Sequence, residues 1–183
     1  AVSFKDDGPS ITVTPATANS LHVDETNLST DHTTNFSSLF QVDAGADQQQ
    51  SLDYSLVLTS GSGTKSGVVD TATGQPVFLY LEGGQVIGRV GSPSGANPNG
   101  DKAFTLSVAT NGDVTLDQIR SLVHPKGGSA SPDEAINLSP GSIKLQATVT
   151  DNDGDTASKS VDLSGAVSFK DDGPSITVTP ATA

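Results

Sequence analysis

The chain has 183 residues, one third of them apolar, with six Phe, two Tyr and no Cys, Met or Trp. That length suits one domain of roughly 150–165 residues with a true core, and the lack of cysteine excludes disulfides and thiolate chemistry. Twenty-one acidic against nine basic residues give a formal charge of −12; this argues against nucleic acid as a partner, and no run of about 18 apolar residues is present to insert into a membrane.

Residues 1–18 are repeated letter for letter at 166–183, an offset of 165. Such an identity is the signature of a tandem array. Each copy reads as strand, acidic joint, strand. Val167 to Lys170 alternates apolar and polar; Asp171-Asp172-Gly173-Pro174 breaks that strand through charge repulsion, backbone freedom and a missing N–H. The next strand alternates again, as residues 11–14 do before Pro15. The expected division is a junction at 1–9, a domain at 10–165, and a junction with the first strand of a following repeat at 166–183.

In chain order, residues 21–27 form a short alternating run that ends in acids. Phe36, Leu39, Phe40 and Val42 suggest one helical turn before a strand. Residues 51–59 place Leu52, Tyr54, Leu56 and Leu58 on one face of a strand. A turn or loop is expected at 61–67. Strands at 77–81 and 85–90 flank Glu82-Gly83-Gly84, a hairpin signal, and strands at 103–109 and 114–116 flank Asn111-Gly112, a stronger one. Residues 91–101, rich in Gly, Pro and Asn, predict an exposed loop. The spacing of Leu116, Ile119, Leu122 and Val123 predicts a helix of about two turns over 116–124, ended by Pro125 and Gly127. A loop follows at 126–132 and a short strand at 134–138. Strong strands at 143–150 and 156–163 surround Asp151-Asn152-Asp153-Gly154-Asp155. Eight or nine short strands and one short helix predict an all-β, Ig-like or cadherin-like β-sandwich.

The acids are lopsided: 18 Asp and 3 Glu. Asp gathers in turns and hard-cation sites. In the turn at 151–155, Asp151, Asp153 and Asp155 converge, and calcium needs six to eight oxygens at about 2.3–2.6 Å. The glycine falls at the wrong place for an EF-hand and both flanks are strands. A plain polar hairpin turn accounts for the same residues taken alone. In a sandwich whose last strand leaves this turn for the C-terminal joint, however, the turn lies beside Asp6 and Asp7. Their copies Asp171 and Asp172 then meet the equivalent turn of a following repeat. Two charges 4 Å apart repel by roughly 1 kcal/mol in water and about 4 at an effective dielectric of 20, so the cluster calls for a cation. Asp24, Glu25, Asp133 and Glu134 are weaker candidates near the C-terminal end. Asp101 reads most simply as a solvated acid, and Asp113 as a turn residue.

Catalytic motifs are missing. His22, His32 and His124 show no zinc spacing, and there is no nucleophile elbow or phosphate loop; a non-enzymatic role is expected.

Several stretches together resemble the repeats of giant type I-secreted (RTX-type) bacterial adhesins. They are Leu21-His22-Val23-Asp24-Glu25-Thr26, Asn35-Phe36-Ser37-Ser38-Leu39-Phe40, Asp70-Thr71-Ala72-Thr73-Gly74-Gln75, Phe104-Thr105-Leu106-Ser107-Val108, the run from Ala147 to Thr156, and Phe169-Lys170-Asp171-Asp172-Gly173-Pro174. The resemblance implies an Ig-like extender module that binds Ca2+ and stands in series with copies of itself. It also implies a place outside the cell, on the bacterial surface, where the array projects a distal ligand-binding domain for attachment and biofilm formation. The calcium role falls on Asp6, Asp7, Asp151, Asp153, Asp155, Asp171 and Asp172. Neighbouring repeats are the expected partners, and an isolated repeat is expected to be a monomer. The rival reading is a calcium-dependent carbohydrate- or ligand-binding module using the 91–101 loop; eight aromatic residues are few for a sugar-stacking platform.

Overall fold

The computed structural model describes residues 7–125 and 134–172. The expected loop at 126–132 and the acids Asp6 and Asp133 lie outside the described residues. Fourteen strands are formed within them. One layer is a six-stranded antiparallel sheet in the order β3-β10-β9-β8-β7-β6. Its strands are β3 (His32–Asn35), β10 (Asp113–Gln118), β9 (Lys102–Val108), β8 (Gln85–Val90), β7 (Pro76–Glu82) and β6 (Thr64–Val69). Against it stand the sheets β13-β12-β5 and β11-β14-β2 and the pair β1-β4. These comprise β13 (Thr156–Asp162), β12 (Ile143–Asp151), β5 (Gln49–Leu58), β11 (Ala135–Asn137), β14 (Val167–Lys170), β2 (Leu21–Asp24), β1 (Ser10–Val13) and β4 (Phe40–Asp43). The all-β sandwich expected from the alternation is what the chain forms.

One apolar core joins the layers. Leu79, Val86, Phe104, Leu106 and Leu116 come from the six-stranded sheet; Leu21, Leu145, Val149 and Phe169 come from the facing sheets. β12 shows why the pattern works. Its inward positions are Ile143, Leu145, Ala147, Val149 and then Asp151, alternating strictly with half-buried residues. The strand's side-chain period of two therefore carries a carboxylate to the next core-facing position beyond four apolar ones.

Both expected hairpins form, β7–β8 and β9–β10. The helical turn expected before residue 40 is the 3-10 turn Ser37–Leu39. The helix expected over 116–124 does not form. Leu116 lies in β10, opposite Leu106 on one side and His32 on the other, and Leu122 bridges to Asp70. Leu116 and Leu122 are buried while Ile119 and Val123 are 42% and 44% exposed, so the four share no buried helical face. The hairpin at Asn111-Gly112 fixes a register in which Val114, Leu116 and Gln118 point inward, and this period of two overrides the helical spacing. Helical structure among the described residues is confined to two 3-10 turns. The loop expected at 61–67 is shorter, because Thr64–Val69 forms β6. That strand is polar, and its buried Ser66 hydroxyl donates to the Val77 carbonyl at 2.7 Å. β3 also lacks apolar residues and carried no alternation signal.

The C-terminal limit also moves. β14 pairs in parallel with β2 and antiparallel with β11. Phe169 is fully buried, its ring 5.1 Å from that of Phe104. Val167 to Lys170 thus belongs to the domain body rather than to a junction starting at 166, and the joint begins at Asp171. Phe169→Ala is expected to cost about 3–5 kcal/mol in urea unfolding. A chain ending at Gly165 is expected to lose cooperative unfolding altogether, because β2 and β11 lose the strand between them; a cooperative transition from that chain contradicts the placement of β14.

Candidate metal centres at the two ends of the domain

The first cluster sits in the β12–β13 turn. One carboxylate oxygen each from Asp151, Asp153 and Asp155 lies within 4.8 Å of the others. Asp151 is 1% exposed. Its Oδ1 accepts from the backbone N–H groups of Gly154 (3.1 Å) and Asp155 (2.8 Å). Gly154, at φ 100°, makes the turn that aims both amides inward. The other oxygen, Oδ2, is buried and has no hydrogen-bond partner among the described residues. A buried oxygen carrying charge and lacking a partner is costly, and all three side chains offer only oxygen. That donor set fits a hard cation.

The entering chain is wedged against this turn. The Asp7 carbonyl packs on Gly45, where a Cβ would collide with it. A Cβ on Gly8 would lie 3.6 Å from Asp155 Oδ2. The neighbouring loop is tied in as well: Asn152 N–H donates to the Gln48 carbonyl at 3.2 Å, and Gly45 N–H to Asp43 Oδ1 at 3.0 Å. Gly8 thus packs beside the acidic turn and Asp7 beside the neighbouring loop, while Asp6 lies outside the described residues.

The second cluster was only half foreseen. Glu25, His124 and Asp171 each bring a ligand atom within 4.8 Å of the other two. Glu25 opens the 3-10 turn Glu25–Asn27 and is buried. Its Oε1 accepts from Gln118 Nε2 (2.7 Å) and Leu122 N–H (2.8 Å), with His124 Nε2 at 3.4 Å. Asp171 is placed by its N–H, which donates to the Glu134 carbonyl at 3.0 Å. Asp172 and the same three residues line a cavity of about 320 Å3. His124 escaped sequence reasoning because its partners are not local; Glu25 is 99 residues away. A weak signal existed in the polar Gln118 at an inward position of β10.

The two clusters lie at opposite ends. β1 and β13 start at the acidic turn, and the links that follow them run together through Asn19 N–H to Gly165 O and Leu21 N–H to Ala166 O. β2 and β14 then continue side by side in parallel, Lys170 opposite Asp24, and deliver Glu25 and Asp171. The remaining candidates have structural tasks. Asp24 Oδ1 caps the 3-10 turn by accepting from Thr26 N–H at 2.9 Å, and the hydrogen bonds from Thr26 hold its carboxyl below the usual range. Glu134 contributes its carbonyl to Asp171. Asp113 bonds Asn35 and Asn111 in its hairpin. Asp101 in the 91–101 loop pairs with Arg120 at 3.2 Å. Arg120 also holds the buried Asp70 at 2.8 Å, which anchors the segment leading to His124.

The hydrogen bond with the Asp153 side chain, and then the amides of Asp155, Gly154 and Asp153, hold the Asp151 carboxyl below its ordinary value. A folded pKa below the unfolded value, about 3.9, adds stability that is fully present above that value. It is lost as pH falls through the lower, folded one. In calcium-free buffer the urea midpoint should therefore fall below about pH 4, and Asp151→Asn should flatten that fall. An unchanged acid slope in the variant contradicts the assignment.

No curated protein matches this chain, and no solved structure matches it. Residues 20–164 match the family described as a domain of unknown function, DUF5801. The matched stretch lies between the two identical 18-residue copies, so the family unit corresponds to what the repeat encloses. The chain belongs to the DUF5801 family.

Proposed function

We propose that this domain is a calcium-stiffened structural spacer, an extender repeat of a large bacterial surface adhesin that projects a distal ligand-binding domain for attachment and biofilm formation. The observation that carries the reading is the Asp151–Asp153–Asp155 turn, with one buried, unpartnered carboxylate oxygen, set against the repeated stretch where the chain enters the domain. Calcium there would be held by Asp151, Asp153 and Asp155, with Asp7 brought close by the packing of its neighbour Gly8.

Geometry supports a short joint. β14 ends at Lys170. A following domain that begins its first strand as this one does at Ser10 would begin it at Ser175. The four residues 171–174 then span at most about 14 Å, so consecutive domains abut. The Asp pair would be divided between them: Asp171 stands with Glu25 and His124 of the preceding domain, while Asp172 occupies the place of Asp7 at the turn of the next. Cations at such a joint cancel repulsion and fix the angle between neighbours; without them the carboxylates push it open.

No helix among the described residues is long and apolar enough to cross a membrane. The surface location is part of the proposal and rests on the resemblance to adhesin repeats. The ligand-binding alternative gains nothing from the 91–101 loop, whose acid is engaged by Arg120 and whose Gly100 carbonyl accepts from Arg89 at 2.9 Å.

Thermal unfolding tests the reading. Calcium at a hundredfold excess over its Kd should raise the Tm by roughly 5–10 °C for a chain of this size, relative to chelator. Magnesium should not reproduce the rise, and Asp153→Asn should abolish most of it. Equal melting in calcium and chelator would reduce the turn to a solvated hairpin and remove the calcium lock.

A further inference from the structure

We propose that Glu25, His124 and Asp171 form a second metal centre that takes a borderline transition ion of the zinc class, not calcium. The inference stands on the C-terminal cluster alone and does not need calcium at the other end. A ring nitrogen is a poor ligand for a hard cation and a good one for zinc or cobalt. This nitrogen donor is built in: the His124 side chain is 3% exposed, and its Nδ1 is buried without a hydrogen-bond partner among the described residues. The ring lines the same cavity as Glu25 and Asp171.

His124 Nε2 stands 3.4 Å from Glu25 Oε1, long for a charge-assisted hydrogen bond, so the ring is oriented by the carboxylate while its Nδ1 is the nitrogen left for an ion. The carboxylate is also held ready. Gln118 and Leu122 donate to Glu25 Oε1, the outer-shell support that orients metal ligands. Asp171 brings a second carboxylate within 4.8 Å of the first and of the ring. The cavity leaves room for a further ligand. Such an ion would tie Asp171, the first residue after β14, to the body of the domain.

The test is a titration of the tag-free, metal-stripped chain with Co2+, followed by displacement with Zn2+. One equivalent of cobalt should bind with visible ligand-field bands, and zinc should abolish them. His124→Gln should weaken binding by at least about tenfold, as should Asp171→Asn, a partly exposed position that keeps the test open if Glu25→Gln unfolds the domain. His22→Gln, His32→Gln and Asp153→Asn should leave cobalt binding unchanged, and the last should lose calcium binding instead. Cobalt binding that is undisturbed in His124→Gln, or displaced by equimolar calcium, overturns the proposal.

Discussion

A carboxylate at a core-facing position is the constraint on which the N-terminal end of this domain depends. β12 turns Ile143, Leu145, Ala147 and Val149 inward and, by the same period, Asp151. A charge there cannot be left bare. One oxygen is answered by two amides of the turn, which obliges that turn to close tightly on Gly154. The other oxygen has no partner among the described residues. Asp153 and Asp155 bring two more carboxylates to the same turn, an all-oxygen donor set of the kind that fits a hard cation.

The opposite end follows the same logic with a different donor set. β2 and β14 run in parallel and end together, so the chain leaves beside the residue pair Asp24-Glu25. Burying Glu25 against Gln118, Leu122 and His124 builds a polar pocket at the edge of the core, and Asp171 reaches it as soon as β14 stops. The proposed spacer function needs both ends to behave this way. A repeat that grips the chain where it enters and again where it leaves allows little freedom across a joint of four residues.

Much of this was legible in the sequence because it is local. The alternation in residues 143–150, the hairpins at Gly83-Gly84 and Asn111-Gly112, and the convergence of Asp151, Asp153 and Asp155 each lie within a few residues. What was not legible depends on distant partners. Leu116 reads as helical until Leu106 and His32 are placed on either side of it. β3 is held by pairing with β10 rather than by apolar side chains, and β6 by pairing with β7, the buried Ser66 hydroxyl and a single core residue, Val68. His124 acquires meaning only when a residue 99 positions earlier folds over it. Val167–Lys170 is legible as a strand, but not its place in the domain, because its parallel partner β2 is distant in sequence.

The most direct test of the central claim is small-angle X-ray scattering of two copies of residues 1–165 in tandem, closed by 166–183, in millimolar calcium and in excess chelator. A calcium-locked joint predicts a single extended shape about twice the length of one domain with calcium, and a shorter, broader distribution of distances without it. Scattering that is the same in both conditions would show that the acidic clusters do not govern the angle between neighbours, and the account of a calcium-stiffened spacer would fail.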